Sequence, residues 1–183
     1  MKHSVQDQLS QDHRNIARLL GLMNHELDQV ADAEVANMEL LLDIMRYVTA
    51  YPDQVHHPLE DLMFESLYER EPELRERIGQ MFDEHRLLAQ KGGDFLHMLQ
   101  TVVDGSMIER DVLVENGRAY ADLLYNHMVY ENEVVFPLAD RGLSESDWTE
   151  VGRKFESQRD PLFGPIKDDD FASLLATIED EAV

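Results

Sequence analysis

The sequence predicts an all-α protein, an up-down four-helix bundle with a short C-terminal helical extension. Four long segments carry apolar residues at alternating steps of three and four, which is the spacing of one face of an α-helix. Short polar connections join these segments, as in bundles whose neighbouring helices run antiparallel. No segment of similar length alternates with a period of two, so β structure is not expected.

The four apolar stripes differ in regularity. The second contains Pro52 and Pro58, and since proline kinks or breaks a helix, we expect one bent helix or two short collinear helices there. The fourth begins after Ser106-Met-Ile-Glu109, which has the residues of an N-terminal capping box. The stripes lie in residues 9–30, 38–67, 74–102 and 113–138, the last ending with Val134 and Leu138.

The apolar pattern weakens after Gly142. A shorter amphipathic segment follows Ser144-Glu-Ser-Asp147, and a last short apolar segment follows a stretch rich in proline, glycine and aspartate. Neither is long enough to form a bundle of its own. We expect residues 1–142 to form the bundle and residues 143–183 to form a helical extension packed on it.

Composition narrows the classes of function. The chain of 183 residues has the length of about one domain. It contains no cysteine, which excludes disulfides, thiolate metal sites and cysteine nucleophiles. No nucleophile elbow, phosphate-binding loop or nicotinamide fingerprint is present.

The charge of the chain narrows its partners. A net charge of −22 disfavours nucleic acid and anionic membranes as partners and is compatible with a cationic ligand. The first fifteen residues lack the apolar run of a secretory signal, and no run of about 18 apolar residues occurs. A cytoplasmic protein is therefore expected, and the sequence leaves its oligomeric state open.

Each of the four stripes is interrupted by a histidine. Two of the helices add a glutamate one turn later on the same face, because side chains at i and i+4 are neighbours. A buried carboxylate without a partner is costly, so buried charges are usually paired or bound to metal. A cation is therefore expected between the helices. The histidines are His13, His56, His85 and His127, and the glutamates are Glu60 and Glu131.

A simpler interpretation exists for each residue taken alone. A single histidine on an apolar face is more often a core residue with a hydrogen-bond partner than a metal ligand. Four histidines on four helices, two of them in His-x-x-x-Glu pairs, favour a metal site instead, because bundle metal sites are built from side chains on facing helices. The methionines of the stripes are expected to fill the core.

The same residues carry a family resemblance. DHRNIARLL, HHPLED, DEHRLL and HMVYENEVVFP resemble, in this order over about residues 9–140, the four helix signatures of the hemerythrin-like (HHE cation-binding) family. Members of that family hold a non-haem di-iron centre in a four-helix bundle. The resemblance implies that His13 and His56 bind one iron and that His85 and His127 bind the other. It also implies that Glu60 and Glu131 bridge the two.

Two positions depart from the pattern of the oxygen-carrying members. Those proteins have a second histidine one turn before the third-helix ligand, where this chain has Met81, which counts against reversible dioxygen carriage. His57 can replace the missing ligand, because some members carry a ligand directly after the second-helix histidine. Pro58 restricts the backbone of His57 and could help to turn its ring inward. The alternative is that His57 faces solvent, since adjacent helical residues do not normally share a face.

The ligand count predicts the chemistry. Two six-coordinate irons offer about twelve positions. Five histidines, two bridging carboxylates and one oxo or hydroxo bridge fill all but one of them. The leading hypothesis is therefore a di-iron protein that binds or senses a small diatomic ligand (dioxygen or nitric oxide) or iron itself, with the ligand or an anion at the open position. The alternatives are an enzyme that reduces nitric oxide or peroxide, an iron-handling or storage protein, and a purely structural acidic bundle. Zinc or manganese could occupy the same ligands.

Overall fold

The computed structural model describes residues 2–155, 160–164 and 168–180 of the chain. Within these ranges the regular elements are all helical and no strand is found, which confirms the all-α prediction. None of the described helices is long and apolar enough to cross a membrane. The bundle consists of α1 (Lys2–Ala31), α2 (Met38–Tyr51), α3 (His57–Arg70), α4 (Arg75–Ile78), α5 (Gln80–Val103), α6 (Arg110–Tyr130) and α7 (Phe136–Gly142).

Four helical rods form the bundle. α1 is the first, α2 continues into α3 as the second, α4 and α5 form the third, and α6 continues into α7 as the fourth. α1 packs against α2 and α6, and α5 packs against the same two helices. Gly117 permits a close approach here, because a Cβ atom at this position would lie 2.8 Å from side-chain atoms of both Leu27 and Phe95.

Both continuous rods contain a π-helical turn, Pro52–His56 in the second and Glu131–Val135 in the fourth. The expectation of one bent helix or two collinear helices around Pro52 and Pro58 is thus confirmed. A π-helical turn holds an extra residue and is frequent at functional sites. In the fourth rod Val135, at the end of the turn, is buried, as are Phe136 and Ala139 after it.

The extra residue explains one wrong detail of the predicted fourth stripe. Val134 and Leu138 are only partly buried, and Val135 and Ala139 take the buried positions one residue later. A regular period of 3.6 residues cannot anticipate such a shift, because it assumes that every turn is α-helical.

The two predicted helix starts have different outcomes. α6 does begin after Ser106–Glu109, at Arg110, but its N-cap residue, Glu109, makes no side-chain capping bond. Ser106 belongs instead to the end of α5, where its backbone N–H donates to the carbonyl of Thr101 at 3.0 Å and Gly105 adopts a positive φ of 92°. This is the arrangement of a glycine-terminated helix end.

The Ser144–Asp147 start does form a capping arrangement. Asp147 Oδ2 accepts hydrogen bonds from the backbone N–H of Ser144 at 2.7 Å and from its hydroxyl at 2.6 Å. This cap starts α8 (Glu145–Phe155), which packs on α1 and α3. The last helix, α9 (Ala172–Asp180), packs on α2. The predicted extension over residues 143–183 also includes residues 156–159, 165–167 and 181–183, which lie outside the described residues.

The buried apolar residues form two separate clusters along the bundle. The larger contains Ile16, Leu88 and Leu124, and the smaller contains Leu9 and Met81. In each rod the predicted ligand lies in sequence between residues of the two clusters. A polar layer therefore divides the core of the bundle.

Candidate metal centre

The structure brings all seven predicted site residues into this polar layer. None of their side chains is more than 7% exposed to solvent. Two histidines that lie outside the layer, His25 and His97, are exposed, and Met81 is fully buried among apolar residues. The seven residues of the layer are His13, His56, His57, Glu60, His85, His127 and Glu131.

The ligand atoms form two groups. The first group is His13, His56 and Glu60, and the second group is His57, Glu60, His85 and His127. Within each group the ligand atoms lie within 4.8 Å of one another. Glu60 belongs to both groups, so the layer offers two adjacent positions for cations that share one carboxylate.

Both carboxylates reach from one group to the other. Glu60 Oε1 lies 3.1 Å from Nε2 of His56, and its Oε2 lies 3.5 Å from Nε2 of His85. Glu131 is in neither compact group, but its oxygens take the same orientation. Its Oε2 lies 3.4 Å from Nε2 of His13 and its Oε1 lies 3.2 Å from Nε2 of His127. Each carboxylate therefore lies between histidines of the two groups.

Several atoms of the layer have no hydrogen-bond partner among the described residues. They are buried, and a buried polar atom without a partner is costly. They point to a cation, since carboxylate oxygens and imidazole nitrogens are the donors that iron, zinc and manganese prefer. These residues therefore fit a metal centre. The atoms are both carboxylate oxygens of Glu60, both of Glu131, and Nε2 of His85 and of His127.

Neighbouring carboxylates favour the protonated form of three of the histidines. Burial by itself lowers the pKa of His13, but the nearby carboxylates of Glu131 and Glu60 outweigh burial and raise it to about 10. For His85 burial is likewise outweighed by carboxylates, and its pKa is raised to about 11. For His127 burial is outweighed chiefly by the charge of Glu131, and its pKa is raised to about 9. Metal ions must displace these protons, because metals bind neutral imidazole.

His57 differs from the other four histidines. Burial lowers its pKa to about 4, although Asp53 opposes the shift. Its ring stacks on His85 with a centroid distance of 4.3 Å and meets His127 edge-on at 5.8 Å. With a side chain 5% exposed in the structure, the solvent-facing alternative is wrong. The binding of metal by His57 stays a prediction.

The local helix geometry explains how adjacent histidines can both face inward. His56 and His57 precede Glu60 by four and three residues, and both spacings place side chains next to each other on a helix surface. Glu60 therefore lies between them on the face that points to the core. His56 falls in the first group and His57 in the second, so the doublet serves both sides of the shared carboxylate.

A set of oxygen atoms behind the histidines was missed by the sequence analysis. Each histidine directs Nδ1 toward an oxygen and leaves Nε2 for the centre, which is the arrangement that fixes the tautomer and orientation of metal-binding histidines. The oxygen partners are Asn132 for His13 at 3.1 Å, Asp12 for His56 at 3.1 Å, Asp53 for His57 at 3.3 Å, Asp61 for His85 at 2.8 Å and Glu84 for His127 at 2.9 Å.

Four of these contacts close a ring around the bundle. Asp12 of α1 contacts His56 of the second rod, and Asp61 of the second rod contacts His85 of α5. Glu84 of α5 contacts His127 of α6, and Asn132 in the turn after α6 contacts His13 of α1. Each of the four orienting residues in this ring is adjacent in sequence to a predicted ligand. The signal that could have found them is therefore the pairing of each ligand with an adjacent carboxylate or amide, as in Asp12-His13 and Glu84-His85.

Comparison with known proteins agrees with this geometry. The family described as the hemerythrin HHE cation binding domain matches residues 4–139, which include all seven residues of the layer. None of the curated proteins compared with the chain matches it. The match and the buried histidine and glutamate groups together indicate a metal-binding domain. The chain belongs to the hemerythrin HHE cation binding domain family.

Proposed function

We propose that this protein holds a non-haem di-iron centre and binds or senses a small diatomic ligand, dioxygen or nitric oxide, or senses iron itself. The observation that carries the proposal is the pair of ligand groups that share Glu60. Four buried carboxylate oxygens without hydrogen-bond partners lie between these groups. Two cations joined by Glu60, Glu131 and an oxo or hydroxo bridge would neutralise them.

The division of the histidines supports one open coordination position. The second group has three histidines, His57, His85 and His127, and with both carboxylates and the bridge these fill six positions. The first group has only His13 and His56, so the same count leaves one position free on its ion. When bound, two irons supply one-electron redox chemistry and an exchangeable site for a small ligand.

The surrounding residues suit a small ligand. The ring of Phe136 stacks on His13 at a centroid distance of 5.3 Å, and apolar clusters lie on both sides of the layer. These side chains exclude water and leave the first group in an apolar setting, where diatomic molecules are more easily accommodated than charged substrates. The oxygen atoms that contact Nδ1 of each histidine orient the rings toward the centre.

Metal analysis and optical spectra test the proposal. Protein purified without chelators should contain about two irons per chain. It should show the charge-transfer band of an oxo-bridged ferric pair that is lost on reduction and that changes when azide or nitric oxide is added. His25→Ala and His97→Ala should leave iron content unchanged, because both residues are exposed.

Other outcomes lead to the competing functions. Steady consumption of nitric oxide or peroxide would show an enzyme, and many irons per chain would show a storage protein. A colourless, metal-free preparation that is fully folded would contradict the proposal.

A further inference from the structure

A buried hydrogen-bond network lies behind His56 and leads away from the centre. Asp12 Oδ2 lies 3.1 Å from Nδ1 of His56, and the same oxygen accepts a hydrogen bond from the Tyr51 hydroxyl at 3.1 Å. The other oxygen of Asp12 accepts from Nε2 of Gln8 at 2.7 Å. Tyr51 therefore does not touch the ligand, but it touches the atom that orients the ligand.

The environment of Asp12 differs from that of the other orienting carboxylates. Its side chain is 0% exposed, whereas those of Asp53, Asp61 and Glu84 are 23%, 36% and 30% exposed. Water screens the charges of those three residues. The charge of Asp12 acts on His56 through a dry interior, where electrostatic interactions are stronger. A donor to Asp12 therefore has a large effect on His56.

We propose that Tyr51 is a positioning residue for the ion of the first group, acting through Asp12. Its hydroxyl holds Oδ2 of Asp12 in place and draws negative charge from that oxygen. Since a carboxylate behind a ligand histidine raises the basicity of that histidine, a donor to the carboxylate moderates the effect. Tyr51 thereby tunes the ion that has the open position. This inference rests on the proposed function.

The chain contains a matched control in Tyr47. Tyr47 and Tyr51 are one helical turn apart on α2, their rings stack at a centroid distance of 5.8 Å, and both are buried. The hydroxyl of Tyr47 donates to Oδ2 of Asp160 at 3.0 Å, in the C-terminal segment, instead of to Asp12. Tyr47→Phe thus removes the same group from the same stack without altering the partner of His56.

Redox titration of the iron-loaded full-length protein tests the inference. In Tyr51→Phe the reduction potential should shift to a more negative value, because His56 then donates more electron density and the ferric state is stabilised. Asp12→Asn should shift the potential in the opposite direction and weaken iron binding by about 10–100-fold. Tyr47→Phe should keep the wild-type potential. Both phenylalanine variants should lose thermal stability. If Tyr51 had only a structural role, the two variants would therefore not differ in reduction potential.

An unchanged potential in Tyr51→Phe, or an equal shift in Tyr47→Phe, would overturn the inference. Cobalt(II) separates this failure from failure of the proposed function. If the protein binds cobalt but no iron pair, the di-iron proposal fails. The absorption spectrum of the cobalt form then decides the role of Tyr51, which is supported if Tyr51→Phe changes the spectrum and Tyr47→Phe does not, and is overturned otherwise. Absence of binding for both metals would overturn both proposals.

Discussion

The two ligand groups are made of the same residue types but are unequal. The first group has two histidines, and its orienting oxygens belong to an exposed amide, Asn132, and a fully buried carboxylate, Asp12. The second group has three histidines, all oriented by partly exposed carboxylates. The two groups therefore differ both in the number of histidines and in the exposure of the oxygen atoms behind them.

The inequality has a direct functional meaning. In the proposed centre, three histidines with carboxylate partners would complete the coordination of an ion in the second group and should hold it firmly, since carboxylate partners strengthen histidine ligands. An ion in the first group would be bound by fewer histidines and would have room for an external ligand. One ion is therefore expected to anchor the pair, and the other to react.

Removal of the carboxylate that both groups share should have the largest effect on metal binding. Glu60 contributes to both groups, so we expect Glu60→Gln to lose both ions. Iron content per chain, measured after purification without chelators, checks this. Glu133→Gln is the matched control, because Glu133 is an exposed glutamate in the π-helical turn that contains Glu131. Retention of both irons in Glu60→Gln would contradict the bridging role.

Removal of one histidine from each group should separate the two positions. His56→Ala should release the ion of the first group and keep the second. His85→Ala should instead weaken the second position, which then keeps only two histidines, His57 and His127. Iron content below two per chain, with a different spectrum for each variant, is the expected result. Identical spectra would mean that the two groups do not act as separate positions.

Metal removal should make stability depend on pH. A histidine whose folded pKa is raised stabilises the protein at pH values below its unfolded pKa, and that stabilisation is lost as pH rises through the folded pKa. His13 and His127 have pKa values raised to about 10 and about 9. The metal-free form should therefore become less stable from about pH 6.5 to pH 10. A domain of this size loses about 2–4 °C of Tm per kcal/mol.

The iron-loaded form is the control for this experiment. Bound metal replaces the protons, so its Tm should change little over the same range, and metal binding should strengthen as protons leave. Thermal unfolding followed by circular dichroism at several pH values measures both forms. Equal pH dependence of the two forms would show that the layer does not exchange protons for metal.

Substitution of His57 should have the smallest effect on iron content of these changes. His57→Ala should lower iron content only in part, because His85, His127 and both bridges remain. Azide or nitric oxide should bind more readily, since the second ion then has an exchangeable position as well. Anion titration followed by absorption checks this. Unchanged iron content and azide binding would mean that His57 packs in the layer without binding metal.

Much of the fold and the convergence of the site followed from the sequence. Buried polar residues on an apolar stripe, such as His85 and Glu131, are conspicuous because they are unusual in a core. The orienting residues were not conspicuous. Asp61 and Glu84 lie at the flank of the layer and are partly exposed, and in a chain with 38 acidic residues such positions resemble ordinary surface.

Two local details of the fold, a helix cap and a π-helical turn, could not be predicted from the local sequence. Ser106–Glu109 and Ser144–Asp147 have similar capping signals, but only the second forms a cap. Ser106 follows Gly105, whose positive φ of 92° draws the serine backbone into the end of the preceding helix. The π-helical turn at Glu131 likewise could not be predicted from a regular period of 3.6 residues.

The division of the apolar core into two clusters has a consequence for folding cooperativity. Each cluster can form its own contacts, and the polar layer between them supplies little apolar burial to link the two. Without metal, the end of the bundle that contains Leu9 and Met81 is expected to open independently of the other end, as a separate cooperative unit. Two ions bound by all four rods would join these units, so that the protein unfolds in a single step.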